Sequence, residues 1–188
     1  MDETPTTHGM NIVRSMLTAI GDDPQREGLQ DTPLRVVKSW QQIYGGYAMD
    51  PAKLITTFSE VDGYDQIIVL RNIEFYSTCE HHMLPFTGYG HVAYLPGKKV
   101  IGISKLARLL DCYARRLQIQ ERIGQQVTAQ IEKHLQPQGT ACILVAKHHC
   151  MSCRGVQKQN SEMVTSSLTG LFREPQVKEE LFSLIGQL

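Results

Sequence analysis

The stretch QIIVLRNIEFYSTCEHH, residues 66–82, marks the point where the chain changes its periodicity. From Gln66 onward apolar residues come in short β-branched and aromatic runs: QIIVL, NIEFY and then TGYGHVAYL (87–95), followed by the turn signal Pro96-Gly97-Lys98-Lys99. Two helical patterns come next. Ser104 reads as the N-cap of the first, with Leu106, Leu109, Leu110, Tyr113 and Leu117 as one buried stripe. In the second, Ile123, Val127, Ile131 and Leu135 repeat every four residues until Pro137 and Gly139 stop it. Two further apolar runs follow, TACILVA (140–146) and SEMVTSSLTGLF (161–172), and Glu174-Pro175 opens a last helix. The order strand, strand, helix, helix, strand, strand predicts an α+β architecture, an antiparallel four-stranded sheet with two helices on one face.

Upstream the pattern is helical. His8 to Ile20 carries apolar residues near helical spacing and stops at Gly21. Thr32 offers an N-cap with Pro33 after it, and Val36, Val37, Trp40, Ile43 and Tyr44 make one apolar face before Gly45-Gly46 ends the helix. Asp50-Pro51 starts a shorter helix by the same logic. Residues 1–60 thus read as an N-terminal helical extension, and 61–188 as the main domain. A four-stranded sheet leaves two edges, and pairing them with copies of itself satisfies unpaired backbone groups, which predicts a homo-oligomer.

Bulk composition narrows the function. A chain of 188 residues, 41% hydrophobic and 20% charged, is long enough to bury a real core. Zero formal net charge argues against a broad electrostatic grip on nucleic acid. No run approaches the roughly 20 apolar residues of a spanning helix, and MDETPTTHGM does not read as a secretory signal. Five cysteines without a secretory context read as reduced thiols, some of them metal-binding. These features predict a cytoplasmic protein without a membrane or nucleic-acid partner.

Two clusters carry chemistry. Cys79-Glu80-His81-His82 places a thiol and an imidazole at C-x-x-H spacing, and His148-His149-Cys150-Met151-Ser152-Cys153 ends an apolar strand. Catalytic zinc sites keep three protein ligands and a position for water, whereas structural sites close with four. Spacing leaves both open, since Cys79, His82, Cys150 and Cys153 would make a closed site. Cys112 and Cys142 fall on core positions.

The strings STCEHH, VIGISKLARL, QIQERI and AKHHCMSCRGV, with DTPLRVVK upstream, resemble in order and separation the signatures of the GTP cyclohydrolase I family, over roughly Asp31 to Phe172. The resemblance implies a tunnel-type (T-fold) α+β unit, five subunits closing a ring, two rings stacking into a decamer, and active sites at subunit boundaries. It implies Zn2+ held by Cys79, His82 and Cys150, with His81 and His148 beside it as acid and base. The implied reaction opens the GTP imidazole ring at C8, releases formate and yields 7,8-dihydroneopterin triphosphate, the first step of tetrahydrofolate and pterin synthesis.

The residue types suit such a substrate. A triphosphate needs several cations, and the resemblance assigns this to Lys105, Arg108, Arg154 and Arg35, the last across a subunit boundary. Lys105 and Arg108 also stand near a helix N-terminus, where the dipole favours anions. Guanine offers N1–H and an amino group side by side to one carboxylate, which the resemblance makes Glu121, with Gln120 supporting the same edge. Ser104 joins His81 in the implied later proton transfers at the ribose, and Glu80 reads as a group that orients a neighbouring imidazole. Two rival readings differ in kind. One is a zinc-stapled binding module, which leaves SKLAR and QER unexplained; the other is a pteridine synthase or nitrile reductase on the same fold, with Cys153 as nucleophile.

Overall fold

The runs QIIVL and NIEFY form one strand, not two, interrupted by a bulge at Arg71–Asn72 where Asn72 takes φ +56°. The structure is a computed structural model describing residues 5–59 and 63–186. The boundary expected between residues 60 and 61 lies outside them. Two compact units divide at Gly45–Gly46.

In the first unit, helices α1 (Pro5–Ala19) and α2 (Thr32–Ile43) lie close, since a Cβ on Gly9 would meet Val37 Cγ2 at 2.9 Å. Val13 and Leu17 of α1 are buried. The expected N-cap Thr32 is displaced by one position: Asp31 stands there, and its carboxylate accepts from Arg35 at 3.0 Å instead of capping the backbone.

The second unit opens with α3 (Pro51–Leu54), capped by Asp50, whose carboxylate accepts from Ala52 N at 3.0 Å. Strand β1 (Thr57–Phe58) pairs antiparallel with β4 (Val100–Ile101) in a small ribbon. The main sheet contains β2 (Ile68–Cys79), β3 (Pro85–Leu95), β5 (Leu117–Gln118), β6 (Gly139–His148) and β7 (Met163–Leu168), in the order β5-β2-β3-β6-β7. Helices α4 (Ile103–Ala114) and α5 (Gln120–Leu135) follow the first hairpin, α6 (His149–Ser152) follows β6, and α7 (Pro175–Ile185) ends the described chain.

The expected four-stranded antiparallel sheet is therefore five-stranded and mixed, because β5 runs parallel to β2, Thr78 against Leu117 and Cys79 against Gln118. The reason is local. Leu117 fits the helical spacing of α4, yet the helix stops at Ala114, where Arg115 turns to φ −76°, ψ 58°. Arg116 then folds back, donating from Nε to Cys112 O at 2.6 Å and lying 4.9 Å over the Tyr113 ring. Leu117 N donates to the Tyr47 hydroxyl at 3.1 Å. Ser104 is likewise not the N-cap of α4: Gly102 holds that position, and Ser104 sits in the first turn.

The sheet is covered on both faces. Phe75, Val92, Tyr94, Cys142 and Leu144 pack with Leu106, Leu109 and Leu110 of α4 and Ile123, Val127 and Ile131 of α5, so the two expected helices do share one face. Alternate residues Ala93, Leu95, Ala141 and Ile143 face the other way, against Phe172 and α7 residues Leu181 and Ile185. Each fully buried Leu, Ile or Phe contributes about 1.5–3 kcal/mol. Gly88 permits close approach of β3 and β6, since a Cβ there would stand 1.9 Å from Val145 O. Among the described residues no helix is long and apolar enough to cross a membrane.

Candidate active site

The β2–β3 hairpin turn builds one side of the site. Cys79 N donates to Leu84 O and Met83 N to Cys79 O, each at 2.8 Å, with Met83 at φ +53° closing the turn. Glu80 N donates to Gln118 O at 3.1 Å, so β5 braces the same turn. This leaves Cys79 buried and His82 exposed, with the Cys79 sulfur 3.9 Å from His82 Nδ1. Pairing of β3 with β6 places Phe86 opposite His148, which carries Cys150 of α6 to the turn.

The ligating atoms of Cys79, His82 and Cys150 all lie within 4.8 Å of one another. Two thiols and one imidazole converging so closely are a donor set that suits zinc. Burial and the neighbouring Cys79 sulfur raise the Cys150 thiol pKa, an effect that a cation between the sulfurs would reverse. Cys153 stands outside this group; it is exposed and donates its S–H to His149 O at 2.9 Å. Cys112 and Cys142 are buried, and burial pushes the Cys142 thiol up to about 12, which keeps it protonated.

Other predicted residues surround this group unevenly. Arg154 Nη1 donates to His82 Nε2 at 3.0 Å, so that cation reaches the edge of the three-residue group. The exposed His81 ring lies 6.3 Å from that of His82, and its Nε2 is 4.0 Å from Glu80. His148 is half-buried, stacked on Phe86 with centroids 4.4 Å apart at 6°, and its Nε2 is 2.8 Å from Gln120 Oε1. Burial lowers the His148 pKa, while the charge of Glu121 acts in the opposite direction. Gln120, expected beside Glu121 at a guanine edge, is fully buried with its amide engaged by protein groups. Glu121 is exposed and lines a cleft of about 610 Å³ between α5 and β7 with Gly124, Gln125, Thr165, Ser166 and Arg173.

Ser104 and Arg108 are exposed and Lys105 half-buried on the first turns of α4, where among the described residues no hydrogen bond joins their side chains to the Cys79–His82–Cys150 group. Arg35 belongs to the first unit, paired there with Asp31. Two participants were not legible in the sequence. Arg122 holds Glu80 through two hydrogen bonds, at 2.5 and 3.0 Å, and keeps that carboxyl below the usual range. Phe86 supplies the stacking partner of His148; its place directly after the turn was the available clue.

Comparison with known proteins gives this geometry a context. The family model described as GTP cyclohydrolase I matches residues 10–186. The protein named GTP cyclohydrolase 1 of Wolinella succinogenes is 52% identical over 174 residues, covering 92% of this chain and 93% of its own. Its namesake of Deinococcus radiodurans is 47% identical over 175 residues, covering 93% of this chain and 81% of that one, and that of Brucella suis is 48% identical over 163 residues, covering 86% and 76%. A crystal structure of the archaeosine synthase QueF-Like in the apo form overlaps 55% of this chain and 93% of its own, with a TM-score of 0.46 and 14% identity. A family match running almost from end to end, with relatives alike over most of both chains, establishes that this chain belongs to the GTP cyclohydrolase I family.

Proposed function

We propose that the chain hydrolyses GTP at C8 of the purine, releases that carbon as formate, and recloses the ribose carbons onto the diamine to give 7,8-dihydroneopterin triphosphate. The observation that carries this reading is the convergence of Cys79, His82 and Cys150 with His148 on the next strand end, in a member of this family. Cys79, His82 and Cys150 would hold Zn2+. When bound, zinc lowers the pKa of water to about 7 and so makes a nucleophile available at neutral pH.

The chain's own residues do the rest. His148, with an imidazole able to give and take protons, serves N7 of the purine, whose protonation makes C8 more electrophilic. Glu121 accepts N1–H and the amino group of guanine with its two oxygens, a pair that adenine does not offer. Lys105, Arg108 and Arg154 hold the triphosphate, with Arg35 of another subunit. His81 and Ser104 move protons at the ribose in the later steps.

The same reading extends to assembly. We infer a decamer of two stacked pentamers in which neighbouring sheets join edge to edge around a tunnel, with residues 1–60 as a helical extension. The outermost strands β5 and β7 support it, because among the described residues each is paired on one side only. Native mass spectrometry tests the subunit number. A cytoplasmic setting, at the first step of tetrahydrofolate synthesis, belongs to this proposal too.

The chemical test is incubation of purified protein with GTP, following formate and an oxidisable fluorescent pterin, with a chelator and Cys150→Ala as controls. Both controls should abolish the products. Full activity of Cys150→Ala would refute the ligand assignment.

A further inference from the structure

The amide of Gln120 is oriented by what surrounds it. At the start of α5 its Nε2 lies 2.9 Å from Leu144 O, 2.9 Å from Met163 O and 3.1 Å from Thr165 Oγ1. Backbone carbonyls only accept, so the NH2 end of the amide must face β6 and β7. The remaining atom, Oε1, is therefore the one 2.8 Å from His148 Nε2. An amide oxygen has no proton to donate. The hydrogen in that bond belongs to the imidazole, so in the neutral ring of His148 Nε2 carries the proton and Nδ1 the lone pair.

One further contact fixes the ring: Phe86 lies parallel to it at 4.4 Å, which sets its plane. A small pocket of about 190 Å³ borders His148, together with Met151, Glu162 and Met163.

We propose that Gln120 is a positioning residue: it holds His148 in the Nε2–H tautomer, so that all proton exchange with substrate passes through Nδ1, and its side chain makes no contact with the guanine. This rests on the role of His148 given above. It departs from a role for Gln120 in base recognition, because a fully buried amide with every polar atom bonded has nothing left to offer a ligand.

The test uses protein labelled with 15N-histidine and a His148→Asn sample to assign the resonances. Nε2 couples to both ring C–H protons and Nδ1 to only one, so the coupling pattern identifies the tautomer. The wild type should show a proton on His148 Nε2, and Gln120→Met, of similar length but without an acceptor, should show mixed tautomers. In GTP turnover that variant should lose roughly a hundredfold in kcat with KM within about threefold. A wild-type spectrum with the proton on Nδ1 overturns the proposal, whether or not the variant folds. So does a Gln120→Met protein with kcat intact and KM raised. A wild type that does not turn over GTP defeats the proposed function instead, while the spectrum still decides the tautomer.

Discussion

Glu80 and Arg122, 42 residues apart in sequence, meet through two hydrogen bonds at 2.5 and 3.0 Å. The pair ties the turn that carries Cys79 and His82 to the first turn of α5, where Glu121 stands. Its side chains are 31% and 41% exposed, so solvent screens it and its direct contribution to stability is small. Its effect belongs to the site. Arg122→Leu should weaken zinc binding about tenfold, because the turn loses its brace, with little change in urea midpoint. Competition with a chromogenic chelator measures this, and an unchanged zinc affinity would contradict it.

Cys150 and Cys153 separate a three-ligand site from a closed one. Cys153→Ser should keep the metal content of the wild type and its GTP turnover within about twofold, since Cys153 is bonded to His149 O and stands outside the converging group. Cys150→Ser should lose both. Metal loss from both variants would show a closed four-ligand site.

Gly88 gives a prediction that links fold to site. An alanine methyl there would meet Val145 O at 1.9 Å and force β3 from β6, the contact that brings Cys150 to the hairpin turn. Gly88→Ala should lose at least about 1–3 kcal/mol in urea denaturation and weaken zinc binding in parallel. Gly45→Ala, whose Cβ would meet nothing within 4 Å, is the control and should change neither. Equal urea denaturation curves for all three proteins would show that β3 and β6 tolerate separation.

His91 predicts a pH dependence. It is 2% exposed in β3 with both ring nitrogens unbonded among the described residues, and burial, then the Arg71 charge, lower its pKa below the ordinary value of about 6.5. The unfolded chain therefore takes up its proton first as pH falls. Stability attributable to this residue is complete above about pH 6.5 and is lost as pH drops from there toward the folded-state pKa. His91→Phe should flatten the acid side of the stability curve, read as urea midpoints at about pH 7.5 and 5.5. An identical slope in the variant would show that other groups carry the acid sensitivity.

The legible parts of the sequence were those where neighbours along the chain are also neighbours in space. The stripe on α4, the four-residue repeat of α5 and the β-branched and aromatic runs of β2 and β3 each lie within a single element. Cys79 and His82 were readable together because one turn holds both. Leu117 was misplaced because a helical spacing continues past the residue where backbone dihedrals end the helix. Gln120 looked like a partner of Glu121 because the two are adjacent. Only the pairing of β6 with β7 reveals that it lies beneath the sheet edge, facing carbonyls. Arg122 offered the same difficulty, since Glu80 is remote in sequence and Glu121 is next door.

Cys79 and Cys150 have a consequence beyond chemistry. About seventy residues separate them, a span that contains both helices of the buried face, and an ion seated between them would close that whole segment into a loop. Such a staple removes freedom from the unfolded chain, by on the order of 4 kcal/mol for a closure of this length if it acts like a covalent link. Heat tolerance should therefore track the free concentration of the ion, and a cell starved of it would hold a protein that is looser as well as idle.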